Sequence, residues 1–251
     1  MKALITGASS GIGKDMAYVL AEQGWELILV ARRTHLLEQL AQSLPVECRI
    51  IAADLSDPSV CRDLYEKTKD DGVDLLINNA GFGLHGEFVS TDLQREEEMI
   101  DLNIKAVHIL TKLFAKDFSK RNSGYILNVA SAAAFTPGPL MDTYYATKVY
   151  VLRLGLALRE ELRRRGSKVV VSTLCPGPVD TDFNNVAGVR FSLPGLNSRK
   201  VAEYAIAKTL RGKAIIIPGF TMKLACVGSK LLPATVVSRV AYLLQRKKGG
   251  V

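Results

Sequence analysis

The chain is expected to be a doubly wound α/β protein: a parallel sheet of about seven strands with helices on both faces. Three observations predict it. Short apolar runs, of the length of strands buried on both faces, alternate with longer stretches of helical period. The spacing between successive runs suits right-handed βαβ crossovers. With 251 residues, 48% of them hydrophobic, the chain can bury the core of one large domain, and no linker, internal repeat or low-complexity stretch divides it. We therefore read residues 1–251 as a single domain.

The expected strands fall at 2–6, 26–31, 47–53, 73–78, 124–131 and 168–176, with a seventh at 214–218. Helical periodicity fills 11–23, 36–43, 59–71, 93–119, 143–165 and 199–210. Two regions leave the alternation. Residues 182–197 mix Asn, Gly and Pro with Phe183, Val186, Val189, Phe191, Leu193 and Leu196. So many apolar side chains in a long loop suit a lid over an apolar ligand better than a bare connector. After residue 218 come two short helical stretches at 221–232 and 233–246, with Pro233 fitting the first turn of the second.

The net charge of +8 is unevenly placed. Residues 199–251 hold eleven Lys/Arg against one acid, Glu203, a net of +10; the first 198 residues hold 22 basic against 24 acidic, a net of −2. The body carries no aromatic-interleaved basic motif and no zinc-finger spacing, so nucleic acid is not an expected partner. Lys223, Lys230, Arg239 and Arg246 to Lys248 border the apolar positions of the last two helical stretches. That extension, 221–251, reads first as a flap beside the ligand site with solvated cations; peripheral contact with a membrane surface is the second reading. Cys48, Cys61, Cys175 and Cys226 lie far apart with no CxxC pair or nearby His, which implies buried thiols in a reducing compartment and no metal site. No run reaches the roughly 18 apolar residues of a membrane span. The opening MKALITG is too short and too soon broken by glycine for a signal peptide, so a cytoplasmic location is expected.

The first strand runs into Thr6-Gly7-Ala8-Ser9-Ser10-Gly11-Ile12-Gly13, where a helix begins. Glycines there allow a tight turn, close approach of a pyrophosphate and close helix–strand packing, and the helix N-terminus adds N–H groups and a positive dipole end. The same residues spell G-x-S-x-G, the nucleophile elbow of α/β-hydrolases. An elbow at residue 9 leaves no earlier strand to supply a second oxyanion amide, and His35, His85 and His108 offer no triad. Nineteen residues after Gly13 come Arg32 and Arg33, where an acid would suit the ribose of NAD and guanidinium groups suit the 2′-phosphate of NADP(H).

Further on stand Asp54, Asn78-Asn79-Ala80-Gly81, Asn103, Ser131 and Tyr144-Tyr145-Ala146-Thr147-Lys148. Tyr144 and Lys148, four apart on a helix, share a face, and an ammonium group lowers the pKa of a nearby phenol. With TGASSGIG, NNAG, the Asn, the Ser thirteen residues before Tyr, YxxxK and Pro176-Gly177-Pro178-Val179-Asp180-Thr181 in order, the chain resembles the short-chain dehydrogenase/reductase family, whose fold is Rossmann-type.

The resemblance implies that Tyr144 is the general acid/base, Ser131 polarises the carbonyl, Lys148 lowers the Tyr144 pKa and holds the nicotinamide ribose, and Asn103 holds a water linking Lys148 to solvent. It carries Gly7, Ser9, Gly11, Ile12 and Gly13 to the pyrophosphate of NADP(H) and Arg32 and Arg33 to its 2′-phosphate. Asp54 and Leu55 would face the adenine; Asn79, Ala80 and Gly81 the ribose; Pro176, Gly177, Val179 and Thr181 the nicotinamide amide. The chain departs from many NADP-preferring members in having no basic residue inside the glycine loop. Asn79 to Gly83 with Gly86 and Phe88 is similar to a bacterial subgroup related to hydroxysteroid dehydrogenases and long-chain 3-oxoacyl reductases. Phe135, Leu140, Met141, Phe183, Phe191 and Leu193 are apolar and suit a hydrophobic ketone or alcohol. A homo-oligomer is expected, a dimer rather than the family's common tetramer, because of the long cationic end. A dinucleotide-binding regulator without turnover is the rival reading, and the intact Asn103, Ser131, Tyr144 and Lys148 set argues against it.

Overall fold

A computed structural model describes residues 1–188, 195–229 and 231–246. Among these residues, β1 (Lys2–Thr6), β2 (Glu26–Ala31), β3 (Cys48–Ala52), β4 (Leu75–Asn78), β5 (Tyr125–Val129), β6 (Val170–Leu174) and β7 (Ile215–Ile216) form one sheet. Its order is β3-β2-β1-β4-β5-β6-β7, and each neighbouring pair is parallel. The first two expected strands keep their ends, and the other five are trimmed by one or two residues at one end or both.

Period two along each strand divides the core. Ala3 and Ile5 of β1 pack with Met16 and Leu20 of α1 (Gly11–Glu22) and with Leu37 of α2 (Thr34–Gln42). Val201 and Ala205 of α8 (Ser198–Leu210) join the same side. Leu4 points the other way, into a cluster with Leu64 of α3 (Pro58–Thr68) and with Phe114 and Phe118 of α5 (Val107–Arg121). Each such fully buried Leu or Phe contributes roughly 1.5–3 kcal/mol over its exposed state. From β1 the chain steps outward to β2 and β3 and then returns to β4, so the crossovers part at the carboxyl ends of β1 and β4 and leave a crevice there.

Two expectations about helices need correction. The stretch 93–119 is not one α-helix: α4 (Leu93–Ile100) passes through a π turn, Asp101–Ala106, into α5. Asn103, fully buried in that turn, accepts from the Phe82 amide (3.1 Å) and donates to the Phe82 carbonyl (2.9 Å) and to Thr147 Oγ1 (3.1 Å). A widened turn at this point accompanies that inward carboxamide. The segment 182–197 is not all loop, since α7 (Phe183–Ala187) lies within it. Its far end is pinned beside residues 178–180 by Leu196 N to Pro178 O (2.8 Å) and Asp180 N to Leu196 O (3.1 Å). Val189, Phe191 and Leu193 lie outside the described residues.

The long α6 (Asp142–Arg164) crosses beside β5 and β6. After β7 come α9 (Phe220–Gly228) and α10 (Ala234–Arg246). Lys230, Lys247 and Lys248 fall outside the described residues. Among the described residues no helix is long and apolar enough to cross a membrane.

Candidate active site

The end of β1 is stitched to the end of β4 by one hydroxyl. Thr6 Oγ1 donates to the Ile77 carbonyl (3.2 Å) and accepts from the amides of Asn79 (3.0 Å) and Ala80 (3.1 Å). Asn79 Nδ2 returns bonds to the carbonyls of Thr6 (3.0 Å) and Gly7 (3.1 Å). Gly7 turns with φ +66°, and a Cβ on Gly13 would stand 2.5 Å from the Gly7 carbonyl oxygen. The glycines therefore let α1 start against the strand end. Ser10, extended at the N-cap of α1, makes no side-chain cap bond, which leaves the first amides of the helix available to a ligand.

A cavity of about 630 Å³ opens over these strand ends. It runs from the glycine loop past Arg32, Arg33 and Asp54 to Ser131, Tyr144 and Lys148. The structure brings together there all the cofactor and catalytic candidates except Gly13 and Asn103, which sit behind its wall. The two arginines part company. Arg33 Nη2 donates to Ser9 Oγ (3.2 Å) and Ser10 Oγ (3.0 Å), so it brings to the glycine loop the cation that the loop's own sequence lacks. Arg32 pairs with Asp54 across 3.6 Å. Burial works against the charge of Asp54, but hydrogen bonds from Ser56 together with Arg32 outweigh it and hold the carboxyl below its ordinary value.

At the other end, Ser131 follows β5, and its Oγ accepts from the Ala133 amide (3.1 Å) and hydrogen-bonds the Tyr144 hydroxyl. Lys148, one turn after Tyr144 on α6, donates from Nζ to the Val129 carbonyl (3.0 Å) and lies 5.7 Å from the Tyr144 ring centroid. Burial pulls the Lys148 amine down to about 8. Burial also pushes the Tyr144 hydroxyl upward, with the Ser131 bond opposing it in part. The standing form of Tyr144 at neutral pH is thus the protonated acid.

The apolar end is shaped by Phe135, Met141 and Phe183, whose ring centroid lies 5.4 Å from that of Tyr144. Leu140 does not line the cavity; it sits at φ +68°, and its carbonyl accepts from the Gly86 amide (2.9 Å). Phe191 and Leu193 are outside the described residues. Sequence reasoning missed Arg95, whose guanidinium stands 4.1 Å from the Phe82 ring centroid at the cavity edge. It also missed Met222, Ala225 and Cys226 of α9. A Cβ on Gly177 would stand 2.6 Å from Met222 Cε, so α9 lies close against the Pro176–Pro178 segment. Spacing of i, i+3 and i+4 was the available signal, because it puts those three residues on one helix face. Tyr145, beside the candidate acid, also lines the cavity and receives a hydrogen bond from Gln245 of α10.

A family model described as short chain dehydrogenase matches residues 1–188. An uncharacterized oxidoreductase of Staphylococcus epidermidis is 32% identical over 210 residues, 82% of this chain and 90% of that one. The 17-beta-hydroxysteroid dehydrogenase type 3 of Homo sapiens is 33% identical over 186 residues, 71% of this chain but 59% of its own length. Among solved structures, a short-chain dehydrogenase from Sphingobium yanoikuyae in complex with NADPH aligns with a TM-score of 0.82 at 31% identity, covering 92% of this chain and 93% of that one. Sheet order, glycine loop and family match agree, and the chain belongs to the short-chain dehydrogenase family of oxidoreductases.

Proposed function

We propose that the protein is an NADP(H)-dependent oxidoreductase that interconverts a hydrophobic ketone and its secondary alcohol, of the hydroxysteroid or 3-oxoacyl type. The observation that carries this reading is the single cavity running from a helix N-terminus and Arg33 to the Ser131, Tyr144 and Lys148 group. A dinucleotide fits that donor set. Open amides of the loop and of α1 would hold the pyrophosphate, with Gly13 keeping the helix close. Arg33 with the Ser9 and Ser10 hydroxyls would hold the 2′-phosphate, Asp54 and Leu55 would border the adenine, and Asn79 to Gly81 the ribose; all of them line the cavity. Pro176, Gly177, Val179 and Thr181, which line the same cavity, would border the nicotinamide amide, and Lys148 would hold its ribose hydroxyls. When bound, the nicotinamide supplies or accepts the hydride.

The chain's own residues handle the oxygen. Ser131 polarises the carbonyl, and Tyr144, protonated in its buried setting, gives its proton to the oxygen as the alcohol forms. Asn103, whose carboxamide already bonds Phe82 and Thr147, positions the Gly81 edge of the cavity; the water link to Lys148 is the role the family likeness adds. Apolar walls from Phe135, Met141, Phe183 and Met222 favour a hydrophobic substrate, and the human relative's name points the same way. The reading keeps the protein in the cytoplasm, with its four cysteines as thiols, as a homodimer.

Purified protein is expected to oxidise NADPH with a panel of steroid and 3-oxoacyl ketones. Arg33→Ala is expected to lower the NADPH over NADH preference about tenfold or more, the scale of a lost charged hydrogen bond. Arg32→Ala is expected to change it less, because Asp54 already engages that guanidinium. Cofactor binding without turnover across the panel would instead favour the non-catalytic regulator.

A further inference from the structure

The two C-terminal helices turn their apolar stripes away from the body. On α9, Met222, Ala225 and Cys226 face the cavity, while Phe220, Leu224 and Val227, at i, i+4 and i+7, are 74%, 57% and 53% exposed. On α10, Gln245 is buried against Tyr145, and its carbonyl lies 3.3 Å from His85 Nε2. The opposite side of α10 carries Val236, Val240, Leu243 and Leu244, at i, i+4, i+7 and i+8, all exposed. Between the helices Leu231 and Leu232 are exposed too. An apolar stripe this regular, repeated on two helices and facing outward on both, needs an occupant.

Charge identifies it. Lys223 flanks the α9 stripe one turn after Phe220, and Arg239 flanks the α10 stripe in the same relation to Val236, with Arg246 beyond. All three are exposed, and none forms an ion pair among the described residues. From 220 to 251 the sequence holds six Lys/Arg and no acid. A second copy docked through this face would bring like charge against like charge with nothing to neutralise it. An anionic lipid surface meets both demands, because acyl boundary covers the stripes and headgroups meet the cations.

We propose that α9 and α10 form a docking surface for an anionic bilayer. The helices lie in the interface, with the cavity on their inner side. The surface is independent of the reaction chemistry, so its test does not depend on turnover.

The test is flotation of the full-length protein with phosphatidylcholine vesicles, with and without phosphatidylglycerol. Binding is expected to the mixed vesicles, weakened by salt, and little to phosphatidylcholine alone. Lys223→Glu with Arg239→Glu is expected to weaken binding at least about tenfold. Leu224→Glu with Leu243→Glu is expected to abolish it; both pairs are exposed, and thermal melts by circular dichroism check that the fold is kept. Absence of binding by the parent, or equal binding by folded variants, overturns the proposal. So does a parent dimer that the leucine variants break into monomers, since the face then belongs to a second copy.

Discussion

Helices α6 and α10 are both amphipathic, yet they use their apolar sides in opposite ways. On α6, Val151, Leu152, Gly155 and Leu162 are buried beside the sheet, and the same inner side carries Tyr144, Thr147 and Lys148. On α10 only Gln245 is buried, and Val236, Val240, Leu243 and Leu244 face solvent. Periodicity announces an apolar stripe but not what covers it. For α6 the cover is β5 and β6; for α10 the buried contact is that of Gln245 with Tyr145. Chemistry belongs to the first kind of helix, where burial holds each side chain in one geometry. Docking belongs to the second.

The sharpest way to break this contrast is to substitute both helices and compare. Tyr144→Phe is expected to cost roughly 10²–10⁴ in kcat for ketone reduction, the usual worth of a general acid, with the melting temperature little changed. Leu243→Ser on α10 is expected to leave both kcat and stability nearly intact, within about 0.5 kcal/mol. Steady-state kinetics and thermal melts on the two variants decide it. A large loss of stability in Leu243→Ser would mean that the α10 stripe is covered after all.

Next in size is Gly13→Ala. A methyl there meets backbone, the Gly7 carbonyl at 2.5 Å, and Asn79 Nδ2 at 2.4 Å, so α1 must move off the strand. A loss of about 1–3 kcal/mol in denaturant unfolding is expected, together with weaker cofactor binding. A Cβ on Gly228 of α9 meets nothing within 4 Å, and Ala there is expected to be neutral or mildly stabilising.

How much of this was legible in the sequence follows from how local each signal is. The glycine loop, the strand ends and the Tyr144 to Lys148 spacing depend on turn chemistry and period, so they could be read directly. The roles of Arg32 and Arg33 could not be separated, because adjacent residues leaving a strand point opposite ways: one meets Asp54, the other the loop serines. The π turn at Asn103 was invisible because its partners, Phe82 and Thr147, come from distant segments. The inner face of α9 was hidden for the same reason. Tyr145 lacks the four-residue spacing to Lys148, and the partner of its hydroxyl comes from the distant α10.

A subtler difference lies in what burial does to charge. Lys148 titrates near 8 when folded against 10.5 for the free side chain. Between those values the unfolded chain binds more protons than the folded one, so stability from this group rises as pH climbs through that window. At pH 7 the buried ammonium therefore costs about 3 kcal/mol. Lys148→Met is expected to abolish turnover yet raise stability by about 2 kcal/mol at pH 7, after about 1 kcal/mol is lost with the bond to Val129 O. The gain should shrink as pH rises from about 8 and be gone above the free value of 10.5. A stability gain that stays constant with pH would show that Lys148 is not the group responsible.

The smallest effect concerns a place where the two kinds of helix touch. Gln245 Nε2 donates to the Tyr145 hydroxyl, while Gln245 Oε1, also buried, finds no partner among the described residues. Tyr145→Phe leaves the whole carboxamide unpaired, which should cost about 1–3 kcal/mol locally. Gln245→Met removes the donor and the orphaned acceptor together and should cost less. In the double variant much of the Tyr145→Phe loss should return, a coupling of about 1 kcal/mol in a double-mutant cycle. Because Tyr145 lines the cavity and α10 rests on it, the single Tyr145→Phe change should raise KM for a hydrophobic ketone while leaving kcat near that of the parent. Additive stabilities and an unchanged KM would mean that α10 sits beside the site without being coupled to it, and the boundary between catalytic body and docking surface would then be complete.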